Sequence, residues 1–577
     1  MSGEQDPAAR NGLYIAEPGC RIDRLGPLPL INHFIDRLGL DDILARFVRT
    51  DEARCGVSYA RALSVFVRTI IVEREPIYRQ QEMVAPFAPD AFGLKREEMA
   101  QIGDDQIGRA LDRLFDADRG ALLTETILAA TQRFEIQCDE FHNDSTTIHF
   151  CGQYQEAVGR EIRGRTAPAI TYGFSKDRRP DLKQLLFVMT TAGDGGVPMQ
   201  FRCESGNFSD SRTHEQSWET LRKIAGKSDF LYVADSKLCG GGSMDYIDEQ
   251  QGKFLTVLPR SRMEDRHFRA GIQNNKPAWE TVRHRRNPRR KDGPPDIWRV
   301  YRDPVPSKEG WPIVWLWSNL LELKQEHTRR ERLAKAVYRL EKLQSQLEGP
   351  RPRRKSRLDI QQALEPILRG RLRRYLKVRV TRSDDYIFRQ EKAGRPGPET
   401  RYRRKIRKRW KLQWRIDEKK IAYDRKSDGM YPLITNDRSL TPKQALLAHK
   451  GQPRIEKRFQ QTKSVFDIAP VFLKNEGRVE ALFHVYFLAL LVQALIEREL
   501  RRGMAAQEID ELNIYPEERP SKRPTCQQVL RLFSLPQRTV MLDGEREVFV
   551  FEPQLTAMQI KVLDLLGVDK RAYCRGA

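Results

Sequence analysis

Long apolar stretches are missing from this 577-residue chain, in which no uninterrupted run reaches the ~20 residues that a bilayer-spanning helix needs. The start, MSGEQDPAARNG, lacks the charged-then-apolar layout of a secretion signal. The expectation is therefore a soluble, cytoplasmic protein without a membrane partner. Cysteine pairing is missing as well. The eight cysteines, from Cys20 to Cys574, lie far apart, with no CxxC pair and no Cys/His cluster at zinc-ligand spacing. That excludes a disulfide framework and a zinc finger. No internal repeat stands out in the sequence.

What the chain has in excess is positive charge. Lys and Arg total 102 against 79 Asp and Glu, a formal charge of +23. A surplus of that size attracts a polyanion at long range, and nucleic acid is the first candidate. The length exceeds what one hydrophobic core supports and predicts about two to four domains. Charge alone does not separate a nucleic-acid enzyme from a ribosomal or chromatin protein, so a site has to decide.

Residues 1–137 are predicted to form a helical, DNA-binding domain. Apolar residues recur at intervals of three and four in Leu30, Ile31, Phe34, Ile35 and Leu38, and in Leu63, Phe66, Val67 and Ile70. Within it, Asp104 to Phe115 has the pattern of a capped amphipathic helix, either the second helix of a helix-turn-helix or an ordinary bundle helix. Over 138–260 the period becomes strand-like. FHNDSTTIHF is followed by two strands joined at Gly193-Asp194-Gly195-Gly196, then a helix near Glu215 to Ala225, then FLYVADSKL. That order predicts the first half of an α/β catalytic domain. Residues 261–420 form a predicted insertion with strands, a helical hairpin and basic runs. Leu333, Ala336, Leu340, Leu343 and Leu347 keep a coiled-coil-like spacing up to Pro350. The second half of the catalytic domain is placed at 421–505. Its apolar helix VEALFHVYFLALLVQALIERELRR is interrupted by His484 and Gln493 and so fits a protein core better than a bilayer. A C-terminal appendage occupies 506–577.

Three acids carry the chemistry. Asp144 lies on the first strand of the α/β half, and Asp235 ends the buried strand FLYVAD, which presents a carboxylate at the strand's carboxyl edge. The third comes from the helix starting at Pro453. Ile455, Phe459 and Phe466 form its apolar stripe, with Glu456 beside them and Lys463 seven residues on, nearly the same face two turns along. Mg²⁺ takes oxygen ligands and keeps several waters, so three carboxylates are an adequate set. Two such ions, about 4 Å apart, serve an in-line displacement at phosphorus. Lys463 and Lys237 are candidate phosphate contacts.

Glu456 and Lys463, with six residues between them, match the last two positions of the Tyr-x2-Arg-x3-Glu-x6-Lys signature, and the chain resembles the insertion-sequence DDE transposases that carry it. GFSKDRRPDLKQ (173–184), SGNFSD (205–210), FLTVLPRSR (254–262), LALLVQALIERELR and the N-terminal LGPLPLINHFIDRLGL resemble one branch of that subgroup, covering about Gly26 to Arg502. The resemblance implies a ribonuclease-H-like core with catalytic and metal-binding Asp144, Asp235 and Glu456, and two Mg²⁺ ions replaceable by Mn²⁺. It further implies cleavage at terminal inverted repeats, strand transfer into target DNA, and a homodimer that pairs two ends. Asp144 and Asp235 stand 91 positions apart and Asp235 and Glu456 221, which accommodates the implied insertion. Where the signature has Tyr and Arg, this chain has His449 and Gln452, and Lys450 or Arg454 are candidates to replace the arginine's phosphate contact.

Other conspicuous residues have plainer readings. His142 and His149 flank Asp144 and are taken as core or surface histidines, strand alternation being expected to keep both off Asp144's face. Trp311, Trp315 and Trp317 are taken as packing residues. The runs Arg283 to Lys291, Arg351 to Arg357 and Arg401 to Arg409 are expected to be flexible and to contact phosphate rather than bases, which predicts steep salt dependence of DNA binding. Two alternatives remain, a structure-selective nuclease on the same fold and a catalytically inactive DNA-binding descendant of a transposase.

Overall fold

The structure is a computed structural model. It describes every residue except 1–17, 51–55, 151–153, 155–156, 176–178, 209–212, 241, 287–292, 350–355, 466–474, 516 and 576–577. Phe466, most of the first two basic runs and parts of the GFSKDRRPDLKQ and SGNFSD strings lie outside the described residues. The chain divides into two compact units, one of residues 1–256 with 447–577 and one of residues 257–446.

In chain order the strands are β1 (Pro18–Arg24), β2 (Glu140–Phe150), β3 (Glu161–Ile162), β4 (Arg165–Thr166), β5 (Lys183–Ala192), β6 (Pro198–Ser205), β7 (Leu231–Ala234), β8 (Lys253–Val257), β9 (Glu280–Arg285), β10 (Asp296–Arg302), β11 (Ile313–Ser318), β12 (Leu376–Gln390), β13 (Tyr402–Ile416), β14 (Met430–Thr435), β15 (Gln537–Asp543) and β16 (Arg546–Phe551). In the first unit the mixed sheet runs β6-β5-β2-β7-β8. β2, β5 and β6 are antiparallel neighbours, whereas β7 runs parallel to β2 and β8 parallel to β7. Strands joined by hairpins pair antiparallel, and the helix His214–Ala225 before β7 supplies the crossover that a parallel neighbour requires. The central strands are buried along most of their length, as the apolar runs LLFVM in β5 and LYVA in β7 dictate.

The N-terminal helices Leu28–Leu38 and Tyr59–Val72 bury the stripes that the sequence marks. The segment is not purely helical, however. β1 pairs antiparallel with β15 from Pro18 opposite Asp543 to Arg24 opposite Gln537. The helix Asp104–Asp116 is amphipathic but starts at Gly103 without a side-chain cap, which corrects the capped reading. Its buried Ile107, Leu111 and Phe115 accompany packing against the helices Tyr59–Val72 and Glu476–Ala506, the behaviour of an ordinary bundle helix.

The helix Glu476–Ala506 is long and apolar enough to cross a membrane, and nearly all of that apolar window is buried within its own unit. His484 lies inside, its Nδ1 donating to the Glu480 carbonyl (2.9 Å) and its ring meeting the Phe201 ring edge-on. Burial lowers its pKa from 6.5 to about 4, outweighing that hydrogen bond, while Arg119 lowers it further. The unfolded chain therefore binds a proton that the folded one refuses. Stability is fully present above pH 6.5 and is lost as the pH falls towards 4, by up to roughly 3 kcal/mol. A series of melting curves between these pH values should show the decline, and His484→Gln should flatten it. An unchanged pH slope in that variant would refute the assignment.

The second unit contains the antiparallel order β14-β11-β10-β9. Trp315 on β11 is fully buried and stacks on Phe268 at 3.6 Å, and Trp311 is buried too, in keeping with packing roles. The helix Asn319–Glu348 buries Ala336, Leu340, Leu343 and Leu347 against Ile360, Leu364, Ile367, Leu376 and Leu412. β12 and β13 form a separate two-stranded ribbon in unbroken register from Leu376–Ile416 to Gln390–Tyr402. The run Arg401 to Arg409 is thus mostly ordered strand rather than a flexible segment.

Candidate active site

Backbone register relates Asp144 to Asp235. β2 and β7 run parallel, with Glu140 beside Leu231, Phe141 beside Tyr232 and His142 beside Val233. Continuing that register by two residues sets Asp144 level with Asp235, just past the carboxyl end of β7. Both side chains are partly exposed. Asp235 also starts the turn Ser236–Cys239, accepting from the Lys237 amide at 3.0 Å, while its carbonyl accepts from Thr256 Oγ1 at 2.6 Å. Those two bonds fix where the chain leaves the strand and leave the second carboxylate oxygen of Asp235 outside the cap.

The face occupied by Asp144 is defined by its neighbour. The β2–β5 register is unbroken from Phe141 to Phe150, so His142 and Asp144, two residues apart, point to the same face. This corrects the expectation that alternation separates them. His149, five residues from Asp144, takes the other face and meets Ser175 Oγ at 2.9 Å. His142 is fully buried, with Nε2 at 2.8 Å from Glu140 Oε1 and Nδ1 at 3.2 Å from Gln452 Oε1. Gln452 Nε2 donates to the Asn143 carbonyl at 3.4 Å. The entry to the helix Pro453–Gln460 is therefore seated on the His142–Asp144 face. Gly451 allows this approach, because a Cβ there would fall on the His142 imidazole.

Glu456 follows Gln452 by four residues, one turn along the same helix face, and is exposed. The helix is α over Pro453–Gln460 and widens to a π turn over Gln461–Val465, so the regular 3.6-residue period does not carry Lys463 straight along from Glu456. Among the described residues, no three His, Cys, Asp or Glu side chains converge closely enough to hold a metal ion. What the fold offers is Asp144 within β2, Asp235 just past the end of the neighbouring β7, and the helix that carries Glu456 entering over the His142–Asp144 face. Burial, then Lys450 and His142, push the pKa of His449 down to about 4, keeping a neutral imidazole near neutral pH beside this seat.

The same helix is tied down on its other side by groups that the sequence reading overlooked. Arg458 is buried and donates to the carbonyls of Gly196 (2.9 Å) and Gly195 (3.2 Å) in the β5–β6 turn, to Gln461 Oε1 (2.8 Å) and to Glu497 Oε2 (3.3 Å). Burial raises the pKa of Glu497, but Arg458, Arg501 and Lys457 outweigh it and hold the carboxyl below its ordinary value. Arg454 likewise turns to this side, its guanidinium donating to the Gly193 carbonyl. At the tip, Arg498 pairs with Asp194 at 2.5 Å, and Gly195 has a φ of 71° with Arg498 so close that a side chain would clash. The signal for Arg458 was present in the sequence, since it stands three residues after Ile455 on the buried stripe. Lys237, Lys450 and Lys463 are each partly exposed.

Comparison with known proteins adds little to this geometry. Residues 20–128 match the family described as Domain of unknown function (DUF4277). No curated protein matches the chain. Among solved structures, it is similar to the cryo-EM structure of the piggyBac transposase synaptic complex with hairpin DNA, at 11% identity and a TM-score of 0.26 over 50% of this chain. The match spans 60% of that structure's chain.

Proposed function

We propose that the chain is a DDE-type DNA transposase, with Asp144, Asp235 and Glu456 as its catalytic acids on a ribonuclease-H-like core. The observation that carries this reading is the parallel β2–β7 register inside the order β6-β5-β2-β7-β8, whose continuation two residues past His142 and Val233 would set Asp144 level with Asp235. The seating of Glu456's helix on the same face supports it.

The donor chemistry suits hard divalent cations, because the three acids offer only oxygen. Asp144 would hold Mg²⁺ or Mn²⁺ from within β2, Asp235 from the end of β7 and Glu456 from the helix. Two bound ions would supply activation of a water or 3′-hydroxyl and neutralisation of charge at the phosphorus. The chain's own part is positioning. Asp235 is oriented by its turn, Asp144 by the regular strand, and Glu456 by a helix fastened at both the Gln452 and Arg458 sides. Lys463, Lys237 and Lys450 would meet nearby phosphates as point charges. Arg454 is a weaker candidate, its guanidinium being engaged at Gly193. Pairing two DNA ends makes a homodimer the natural minimum.

The test uses duplex oligonucleotides bearing the inverted repeats that border the reading frame, with full-length protein and Mg²⁺ or Mn²⁺. Cleavage at the repeat ends and joining to a target duplex are expected. Cutting without joining would establish the nuclease alternative, and binding without either would establish an inactive descendant. Both outcomes overturn the transposase reading.

A further inference from the structure

The β12–β13 ribbon is two-faced in a way that its dense charge hides. Cross-strand partners share a face, and the register pairs odd positions with odd and even with even. On the even face, Leu376 and Leu412 belong to the core under the helix Asn319–Glu348, and Val378, Val380, Trp410 and Trp414 pack against it. Gln344 Oε1 accepts from the Leu412 amide at 2.5 Å. The base of the even face is thereby anchored, while its outer Tyr386, Phe388, Tyr402 and Ile406 are exposed. The odd face is turned to the opposite side, with Arg409 among its cations reaching back to donate to the Glu348 carbonyl at 2.7 Å. Of the fourteen residues on the odd face nine are Lys or Arg and one, Asp385, is acidic. The sixteen residues of the even face include only three cations, Arg382, Arg404 and Lys408.

This segregation works against folding. Lys377 stands opposite Arg415 and Arg389 opposite Arg403, and like charges directly across a ladder are destabilising. Along β13 the side chains of Arg403, Lys405, Arg407, Arg409 and Lys411 all emerge on one face. Asp385, the single counter-charge, is taken by Arg409 at 2.7 Å. A solvated surface ribbon would gain by mixing signs. A polyanion laid along the odd face offsets the repulsion.

We propose that the odd face of this ribbon grips the phosphate backbone of duplex DNA. Its fifteen paired positions span about 50 Å, more than one ~34 Å duplex turn, and a two-stranded ribbon fits the ~12 Å major groove. Cations on alternate residues recur every ~6.7 Å, about the axial rise of two phosphates on one strand. The contact is to backbone and so independent of sequence. It deepens the proposed function by stating where the substrate duplex is held, yet it needs neither the acids nor metal.

Binding of full-length protein to a duplex of arbitrary sequence is measured in EDTA across a salt series, for wild type and for Arg403→Gln/Lys405→Gln/Lys411→Gln. Losing three phosphate contacts should lower the slope of log affinity against log salt by about 3 and weaken binding tenfold to hundredfold near 0.1 M salt. Arg404→Gln/Lys408→Gln, on the even face, should change both far less. In wild type, duplex should shield Lys377, Lys405 and Lys411 from acetylation and leave Lys408 reactive, a readout that needs no variant. Equal loss from both faces, an unchanged slope, or a ribbon-dependent preference for single strands, RNA or anionic vesicles would overturn the proposal. Because Asp235→Asn enters neither readout, failed catalysis and a failed ribbon are distinguishable.

Discussion

Asp235→Asn is expected to lower end cleavage and joining by about 10³-fold or more while leaving duplex binding in EDTA and the melting midpoint unchanged. The amide keeps the size of the carboxylate, and its oxygen still accepts from the Lys237 amide, so the turn Ser236–Cys239 survives. What is lost is a negative oxygen that the continued β2–β7 register would set level with Asp144. Asp144→Asn and Glu456→Gln should each fall into the same range. Asp235→Cys separates a metal role from a structural one, because a thiolate is a poor partner for Mg²⁺ but better tolerated by softer ions. Partial activity in Mn²⁺ with none in Mg²⁺ is the expected signature. Full activity of Asp235→Asn would remove Asp235 from the site and, with it, the register that supports Asp144.

The second large effect concerns stability. Arg458→Met keeps length and apolar bulk but strips hydrogen bonds from the Gly195 and Gly196 carbonyls and an ion pair from Glu497. Breaking a buried pair by removing one partner costs about 3–5 kcal/mol, and Lys457 and Arg501 beside Glu497 place this case near the lower end. A thermal midpoint lowered by several degrees is the measurement. Glu497→Gln in the same background should lose less than the sum of the two single changes, since the stranded charge is gone. Strict additivity would show that Arg458 and Glu497 do not act as a pair.

Much of the site was legible because its parts are local. FLYVAD ends in an acid wherever a buried strand ends, and Pro453 with the Ile455 and Phe459 stripe announces a helix start. Neither string says that β7 lies parallel to β2, since that register joins residues about ninety positions apart. The seat of the helix was hidden for a different reason. Gln452 and Gly451 look like the loss of a signature arginine and a loop glycine, and only the approach of His142 gives them a purpose. The angle of Lys463 is not legible, because a π turn cannot be read from side-chain spacing. In β13 the alternation of Ile406, Trp410, Leu412 and Trp414 was visible, but the arginines between them resemble a solvated run. The pairing of β1 with β15 joins the two ends of the chain and left no local trace.

The interrupted course of the first unit also sets a timetable. Asp144 and Asp235 are made before the 190 residues from Val257 to Leu446, and Glu456 after them. At about 5–20 residues per second, ribosomal synthesis takes roughly 10–40 s to cross that gap. During this interval the nascent chain holds two of the three acids proposed for the site, and the face beside His142 has no helix to cover it. The strand partner of β1 arrives later still. A chain released early from the ribosome would thus carry its cationic ribbon without the helix that bears Glu456, and on the proposed reading it would hold a duplex without cutting it.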